Sequence, residues 1–302
     1  MKRKIAFGTW CFQFTPYDKK PVGLDDVLKK AAEIGYDGVS LDGNHANPES
    51  HPTLQSRKDL ATKIADHGLE VSEYNPKIGV VGGIIIQFQP DTWLQTIEEN
   101  LQFVHDCGFT RSLRVDTRAV PTFMVDSDYK RAWETTVYAF KHAAKAAAKR
   151  DMQIVWEFEP GFLFNTPSEV VQMWKDVDEP NFRLELDSAH VYLMSELGSL
   201  QHTRKETLPG GQLEFIEMCK DKIGLVHIID NDGSLYQGIT SMHNAFGTGH
   251  IDFDKIMPAL RDRAKYTGEW WVVDLVFNDD AWNILKDAKD FIDVLNTRYG
   301  DY

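Results

Sequence analysis

The chain has 302 residues, of which 42% are hydrophobic, and a formal net charge of −13. This length suffices for one large core, and α/β barrels of about 250 residues are routinely single domains. The negative charge and the lack of a Lys/Arg cluster argue against a nucleic-acid-binding surface, because neutralising phosphates requires clustered cations. No stretch approaches about 18 uninterrupted apolar residues, so we expect no membrane span.

The cysteines and the N-terminal segment indicate a cytoplasmic protein. Cys11, Cys107 and Cys219 are far apart, odd in number and without a CxxC motif, as is typical of reduced core thiols. The segment MKRKIAFGTWCF starts basic and continues apolar, but its apolar run is short and lacks a small-residue cleavage site. We therefore interpret it as a strand and not as a signal peptide.

Short β-rich runs alternate with amphipathic stretches whose apolar residues recur about every 3.6 positions, as in helices. Eight such units without a linker or a composition break predict a single (β/α)8 TIM barrel domain over residues 1–302. The alternative, a doubly wound open sheet, is disfavoured because no G-x-G-x-x-G motif follows the first strand. The predicted strands are Lys4–Phe12, Asp37–Gly43, Leu69–Asn75, Ser112–Asp116, Gln153–Pro160, Arg183–Asp187, Gly224–Asp230 and Glu269–Leu275.

The last four predicted strands each end near an acidic or imidazole side chain. Charged groups beside apolar strands cost several kcal/mol unless something compensates them. The C-terminal ends of barrel strands meet at the face that holds active sites, so these four ends predict one divalent-cation site. The segments are WEFEP (Trp156–Pro160), LELDSAH (Leu184–His190), GLVHIIDND (Gly224–Asp232) and WWVVDLVF (Trp270–Phe277).

Strand geometry distinguishes the two glutamates of WEFEP. A period of two places Glu157 and Glu159 on the same side of the strand, with Glu159 at the rim next to Pro160. We expect Glu159 to reach a ligand and Glu157, one layer deeper, to form a supporting hydrogen bond. His190 follows Asp187 by three residues on the exit turn, so we expect it to act on substrate.

The composition of the four segments favours a particular class of ion. Two or three carboxylates with one imidazole suit a hard or borderline divalent ion such as Mn²⁺, Mg²⁺ or Co²⁺. A structural zinc site would favour cysteine, which none of the segments supplies. A lone Asp at a strand end is usually a helix cap, and a lone His is usually a surface or core residue. The prediction therefore depends on all four segments together.

Aromatic and polar residues of the first half of the chain are predicted to line the same mouth. These are Trp10 and Phe12 at the end of the first strand, His45 after the second and Tyr74 in the third. Apolar walls with a few polar groups are typical of a sugar or glycoside pocket. Core packing is the alternative for Trp10. For His45 the alternatives are a solvated loop histidine and a proton-transfer residue.

Two further residues are candidates for substrate binding. His243 lies in the long loop after the seventh strand and has the same two alternatives as His45. Arg114 is a candidate anchor for a hydroxyl or carboxylate, and a buried Arg114–Asp116 pair is the alternative. No Lys/Arg cluster or glycine nest marks a phosphate pocket, which favours an unphosphorylated sugar, sugar acid or glycoside.

Four motifs in order, EFEP, LDSAH, VHIID and GTGHIDFDKIMPAL, resemble the xylose isomerase-like sugar-phosphate isomerase/epimerase family. AAEIGYDGVSL also fits, so the resemblance covers essentially the whole chain. It implies a TIM barrel with one Mn²⁺-like ion held by four strands, and it implies that His190 contacts substrate. Asp274 departs from the glutamate of most epimerases, which weakens the case for symmetric epimerisation. The ligands that the resemblance implies are Glu159, Asp187, His227 and Asp274.

These expectations describe a metal-dependent carbohydrate enzyme of the isomerase or epimerase type, which abstracts a proton α to a carbonyl and forms an enediolate. Glu159 or a nearby histidine would remove the proton, with His190, Asp274 and His45 as the other catalytic candidates. The alternative is a carbon–carbon lyase, since the α subunits of C-glycoside deglycosidases are similar and act on 3-oxo C-glycosides with a smaller β subunit. An endonuclease is disfavoured by the charge of −13. A sugar-binding module without activity is the non-enzymatic alternative.

The loop Lys77–Pro90, KIGVVGGIIIQFQP, is strongly apolar and follows the third strand. Exposed apolar patches usually mark contacts. We therefore predict a subunit interface, either in a homo-oligomer or with a small partner subunit that covers the mouth. A lid over the substrate and packing on the neighbouring helix are the alternatives.

Overall fold

The computed structural model describes residues 2–77, 89–117, 126–202 and 204–299, with the side chains of residues 126 and 127 left out. Most of the apolar loop Lys77–Pro90, namely residues 78–88, lies outside these ranges. The interface predicted for this loop therefore stays a prediction.

Eight parallel strands close into a barrel, which confirms the predicted TIM barrel. Each strand pairs with its neighbours in the chain, and the last strand pairs with the first. A short antiparallel hairpin, β8 (Leu235–Tyr236) and β9 (Thr240–Ser241), follows the seventh barrel strand. The barrel strands are β1 Lys4–Gly8, β2 Gly38–Asp42, β3 Glu70–Asn75, β4 Ser112–Val115, β5 Gln153–Glu157, β6 Phe182–Asp187, β7 Ile223–Ile228 and β10 Trp270–Val273.

Helices cover the outside of the barrel. Several begin or end as the sequence chemistry requires: Thr166 and Glu169 form a capping box, and Gly35 ends a helix with a φ of 94°. A 3-10 helix, Thr9–Phe12, and a π-helix, Leu193–Leu197, occur in the loops after β1 and β6. The α-helices are Leu24–Ile34, Leu54–Asp66, Pro90–Cys107, Asp126–Ala148, Pro167–Val177, Ser188–Tyr192, Gly211–Met218, Phe253–Asp262 and Ala281–Tyr299.

The first strand is shorter than the sequence predicts. Residues Thr9–Phe12 turn into the 3-10 helix, and the Trp10 indole folds back over Gly8. A Cβ at position 8 would overlap the indole ring, so glycine is required there. The turn brings Trp10 to the mouth of the barrel.

The barrel interior has an apolar floor beneath a polar layer. Val155, Leu225 and Val272 belong to a small separate core cluster inside the barrel. Side chains alternate along a strand, so the next inward position of each strand lies one layer nearer the mouth. Those next positions hold Glu157, His227 and Asp274. The period-two pattern therefore stacks charged groups directly on an apolar base.

The segment after β7 folds around the buried side chain of Asp230. Its carboxylate accepts hydrogen bonds from the backbone N–H groups of Asn231, Gly247, Gly249 and Ile251. A Cβ at Gly249 would overlap this carboxylate. Asp230 therefore ties the loop back to the end of β7, which keeps the β8–β9 hairpin over the barrel mouth.

None of the helices within the described ranges is long and apolar enough to cross a membrane.

The Asp230→Ala variant should lower the free energy of unfolding by about 3 kcal/mol, because a buried polar group left without its partner costs about 1–3 kcal/mol. Urea unfolding followed by tryptophan fluorescence measures the change. Asp232→Ala is the matched control, since this exposed side chain bonds locally to Ser234, whose N–H donates to it. Equal destabilisation by the two variants would contradict the role of Asp230.

Candidate metal centre and active site

A cavity of about 370 Å³ opens at the C-terminal ends of the strands. Its outer wall is apolar and is formed by Phe14, Phe162, Ile239, Val276 and Phe277. Its inner wall is polar, and six of the predicted site residues belong to it. The inner wall consists of Trp10, Asn75, Arg114, Asp116, Glu159, His190, Thr240, His243 and Asp274.

At the inner end of the cavity, four buried side chains bring one potential ligand atom each to within 4.8 Å of one another. They are Glu157, Asp187, His227 and Asp274, and we call them the ligand cluster. Glu157 Oε1 lies 3.1 Å from His227 Nδ1, and Asp274 Oδ2 lies 3.6 Å from the same nitrogen. Among the groups that the described residues form, this is the largest.

The structure thus places Glu157, and not Glu159, with the other three residues for which we predict metal binding. Glu157 pairs with Glu185 across β5 and β6, one inward step below Asp187. The length of the glutamate side chain spans this step, so its carboxylate reaches the level of Asp187. Glu159 belongs to a separate group with Glu157 and His190.

The donor atoms of the ligand cluster fit a divalent cation. Glu157 Oε1, Asp187 Oδ2 and His227 Nδ1 are buried and have no hydrogen-bond partner within the described residues. Leaving such groups unpaired costs about 1–3 kcal/mol each, and here three of them converge. Carboxylate oxygens with one imidazole nitrogen can hold Zn²⁺ as well as Mn²⁺.

A deeper set of polar groups fixes the orientation of His227. Its Nε2 lies 2.7 Å from Glu73 Oε1 and 3.0 Å from Glu185 Oε1, and the Ser40 hydroxyl donates to Glu73 at 2.6 Å. Two carboxylates beside Nε2 hold a proton there, so Nδ1, once it has lost its own proton, is the ring nitrogen available to a metal ion. Such outer partners are typical of metal-binding histidines.

The pKa values of two cluster carboxylates are shifted in opposite directions. Burial, together with the charge of Asp274, raises the pKa of Asp187 to about 8. Burial alone would also raise the pKa of Asp274, but the nearby His243 and His227 rings hold it below its usual range. The two acids therefore cannot share this space as equal anions without a cation between them.

Comparison with known proteins identifies the family. Residues 28–295 match the model of the xylose isomerase-like TIM barrel family. The chain belongs to this family. Inosose dehydratase of Geobacillus kaustophilus (strain HTA426) is 24% identical over 302 aligned positions, which cover 90% of this chain and 87% of the relative.

Two solved structures share the fold at low identity. A crystal structure of the IolI protein with a bound zinc atom has a TM-score of 0.73 and 18% identity, and the match covers 99% of this chain and 100% of that one. D-psicose 3-epimerase, crystallised in the presence of D-fructose, has a TM-score of 0.72 and 15% identity with the same coverage of 99% and 100%. The xylose isomerase-like family thus includes sugar-modifying enzymes named for dehydration and for epimerisation.

Glu159 stands at the rim of this xylose isomerase-like barrel, as the sequence predicts, and faces the cavity. It accepts hydrogen bonds from Arg114 Nη2 and Thr240 Oγ1, both at 3.1 Å. Burial raises the pKa of Glu159 to about 7, although the charge of Arg114 opposes this effect. A carboxyl group with a pKa near neutrality, oriented by two donors, is suited to proton transfer.

Trp10 connects the aromatic wall to the ligand cluster. Its Nε1–H donates to Asp274 Oδ1 at 2.6 Å, and its ring lies 5.5 Å from that of His227. The Arg114 guanidinium lies over the same indole at 5.5 Å. Trp10 is nearly buried and still lines the cavity. It therefore both packs in the core and forms part of the cavity wall.

Asp187 fits both interpretations of an acid at a strand end, because one of its oxygens caps a helix and the other belongs to the ligand cluster. Its Oδ1 accepts a hydrogen bond from the backbone N–H of His190 at 2.8 Å and so caps the helix Ser188–Tyr192. Its Oδ2 is left for the ligand cluster. The helix cap also places the His190 ring at the cavity wall, with Nε2 3.7 Å from Glu157 Oε1.

Two predicted site residues lie apart from the cavity. Nε2 of His45 contacts Gln13 Nε2 at 2.7 Å and the Val22 carbonyl oxygen at 3.0 Å. The Tyr74 hydroxyl donates to Ala46 O, at 3.2 Å, in the layer between strands and helices. Neither residue lines the cavity.

Arg114 lines the cavity but is already engaged. It contacts Glu157 Oε2 and Glu159, and its Nε lies 3.6 Å from Glu185 Oε1. Arg114 is therefore buried among carboxylates, and its partners in these contacts are glutamates; the predicted Arg114–Asp116 pair stays a prediction. The Arg114 guanidinium contacts three carboxylates and so holds them in position, and it also faces the cavity.

Sequence reasoning missed Glu73, Glu185 and Ser241. Glu185 stands between two leucines in β6, and Glu73 stands between Ser72 and Tyr74 in β3; an acid in either setting normally indicates a solvent-facing side chain. Their spacing could have revealed them. Glu73 lies two residues before Asn75, and Glu185 lies two residues before Asp187, so each points to the same side of its strand as a residue near the barrel mouth. Ser241 carried no sequence signal, because its position depends on the hairpin.

The assignment of the ligand cluster predicts different behaviour for the two glutamates of β5 and its exit loop. Glu157→Gln should lose stoichiometric metal, because an amide is a poor substitute for an anionic ligand. Glu159→Gln should keep it. Plasma mass spectrometry of the dialysed proteins measures the metal content. If Glu159→Gln lost the metal and Glu157→Gln kept it, Glu159 and not Glu157 would be the metal ligand.

Proposed function

We propose that the protein is a divalent-metal-dependent enzyme that abstracts a proton α to a carbonyl group of a carbohydrate. The observation that supports this most is the position of Glu159. It faces the same cavity that the ligand cluster borders, and its pKa of about 7 suits a general base. The zinc bound by IolI and the names of the related dehydratase and epimerase agree with such chemistry.

The ligand cluster is the metal site of this proposal. Glu157, Asp187, His227 and Asp274 would hold the ion. When bound, a divalent ion supplies Lewis-acid stabilisation of the negative charge that develops on the carbonyl oxygen. Mn²⁺ remains our prediction for its identity, and Zn²⁺, Mg²⁺ and Co²⁺ suit the same donors.

The side chains around the cavity divide the remaining work. Glu159 takes the proton from carbon, held in place by Arg114 and Thr240. His190 Nε2 binds a substrate oxygen, since this nitrogen faces the cavity. Trp10 covers one side of the substrate and excludes water from the carbanion. Glu73 and Glu185 lie below the cavity and do not line it, and they keep His227 oriented.

The geometry favours reactions that need one base on one face of the substrate. Asp274 accepts the Trp10 N–H bond and lies near His227 and His243, so it is not free to act as a second base. Inversion of a carbon requires groups on both faces, whereas aldose–ketose isomerisation requires one. Isomerisation of an unphosphorylated sugar is therefore the first candidate. Arg114, already paired, is the one Lys or Arg among the described residues that line the cavity.

A lyase is the second candidate, favoured by the apolar outer wall. Phe14, Phe162 and Phe277 would contact an apolar substituent of the substrate. The same proton abstraction leads to elimination, the reaction of a lyase, when the enolate expels a leaving group and does not take up a proton. Elimination of water would match the relative named inosose dehydratase. Expulsion of an aglycone would match a C-glycoside deglycosidase.

We also propose a cytoplasmic location and an oligomeric state for the enzyme. The buried free thiols Cys11, Cys107 and Cys219 support a reducing compartment. The oligomer proposal rests on the composition of the loop Lys77–Pro90.

Incubation in D₂O with unphosphorylated ketoses, aldoses and 3-keto-glycosides distinguishes the candidates. An isomerase should incorporate deuterium into the product at the carbon next to the one that lost its proton, and a lyase should release water or an aglycone. Glu159→Gln should lower kcat by roughly 10²–10⁴-fold, the usual effect of losing a positioned base. NMR of the products measures the exchange. Full activity of Glu159→Gln would refute Glu159 as the base.

A further inference from the structure

A serine hydroxyl joins two histidines at the wall of the cavity. Ser241 Oγ lies 2.8 Å from Nδ1 of His190 and 2.9 Å from Nε2 of His243. All three side chains are buried. Within the described residues, the Ser241 hydroxyl has no other hydrogen-bond partner, and neither ring forms another side-chain hydrogen bond.

The outer nitrogen of each ring faces the reaction site. His190 Nε2 lies 3.7 Å from Glu157 Oε1 and 4.0 Å from Glu159 Oε2, at the lining of the cavity. His243 Nδ1 lies 3.6 Å from Asp274 Oδ2. These separations are longer than hydrogen bonds, so Ser241 is the closest constraint on both rings.

One hydroxyl proton restricts the two rings together. A hydroxyl donates one hydrogen bond, and a neutral imidazole has one N–H and one lone pair. If Ser241 donates to His243 Nε2, it accepts from His190, and both rings carry their proton on Nδ1. If Ser241 donates to His190 Nδ1, it accepts from His243, and both rings carry their proton on Nε2. A mixed arrangement leaves a buried polar group unpaired, which costs about 1–3 kcal/mol.

We propose that Ser241 is a positioning residue that couples the tautomers of His190 and His243, so that both rings carry their proton on the same nitrogen. With both protons on Nδ1, His190 presents a lone pair to the cavity and His243 directs its N–H to Asp274. With both on Nε2, His190 presents an N–H to the cavity. The contact at Asp274 and the hydrogen bond offered to a substrate oxygen therefore change together.

The coupling itself rests on hydrogen bonds of the protein alone. Its consequence for the reaction rests on the proposed function, in which His190 binds a substrate oxygen. A test that reads the tautomers directly therefore needs no substrate, and its failure is separate from a failure of the proposed function.

The test is long-range ¹H–¹⁵N NMR on the full-length chain labelled with ¹⁵N-histidine at pH 8.5, well above the ordinary imidazole pKa of about 6.5. His190→Asn and His243→Asn identify the signals of each ring. We expect equal fractions of the Nδ1–H form in the two rings. Opposite tautomers, or a doubly protonated ring at either position, would overturn the proposal.

Variants of Ser241, with one of Ser195 as the control, separate coupling from a structural effect. Ser241→Ala should make the two fractions unequal, and Ser241→Thr, which keeps the hydroxyl, should preserve their equality. If circular dichroism shows that the threonine methyl disturbs the fold, Ser241→Cys takes its place with a weaker donor. Ser195→Ala removes another buried hydroxyl, which donates to the Val191 carbonyl at 2.6 Å, and should change neither ring. Equal fractions that persist in Ser241→Ala would overturn the coupling.

Titration with Zn²⁺ tests the metal centre in the same samples. The ion should shift the Nδ1 signal of His227 and leave His190 and His243 as unmetallated rings. No response to Zn²⁺ would contradict the proposed metal centre but leave the tautomer result in place. Zinc bound by both His190 and His243, which form another potential ligand group with Asp187, would overturn the coupling.

Discussion

The concentration of buried carboxylates around one imidazole is the constraint on which the rest of this structure depends. The five carboxylates that surround His227 inside the barrel are each at most 3% exposed. Moving ionised groups out of water costs several kcal/mol each unless charges and hydrogen bonds compensate them. Arg114 and His227 supply part of that compensation. The five are Glu73, Glu157, Glu185, Asp187 and Asp274.

The five acids are protonated unequally because the positively charged groups beside them are fewer than the carboxylates. Burial raises the pKa of Glu185 well above its usual value, and the neighbouring Glu73 adds to this effect. Burial would also raise the pKa of Glu73, but the charge of His227 keeps it low. The lower pair thus orients His227 without needing a further cation. The proposed cation would neutralise the upper acids, Asp187 and Asp274, so the candidate metal site and its support would form one electrostatic unit.

The barrel supplies this unit because its strands place polar layers on an apolar base. Val155, Leu225 and Val272 fill the floor, and each strand then adds a charged residue two positions later. The loops complete the mouth: Trp10 comes from the turn after β1, and Ser241 comes from the hairpin that Asp230 holds in place. The stability of the loop after β7 and the arrangement of the active site are therefore linked.

The strand and helix pattern could be predicted from the sequence, because alternation and the 3.6-residue period are local. The order of Asp187, His227 and Asp274 along three strand ends was also readable. The choice between Glu157 and Glu159 was not, because it depends on strand stagger and on where β5 ends. Glu73 and Glu185 were missed, since an acid in an alternating strand normally faces solvent.

His45 and Tyr74 show the other limit of sequence reasoning. Their chain positions after β2 and within β3 are close to the mouth, but the direction of a side chain depends on strand parity and loop conformation. In β3 the inward position belongs to Glu73, so Tyr74 faces the helices. Ser241 illustrates the reverse case, in which a residue without a motif reaches the centre of the site.

Calorimetric unfolding of chelator-stripped protein, with and without added Zn²⁺ or Mn²⁺, tests most directly whether the ligand cluster requires a cation. A ligand at about 100 times its Kd stabilises the folded state by about 2.7 kcal/mol. For a chain of this size that corresponds to a rise in Tm of roughly 5 °C. We expect this rise in the native protein and its loss in Asp187→Ala. A Tm that no divalent ion raises, or an equal rise in the variant, would contradict it.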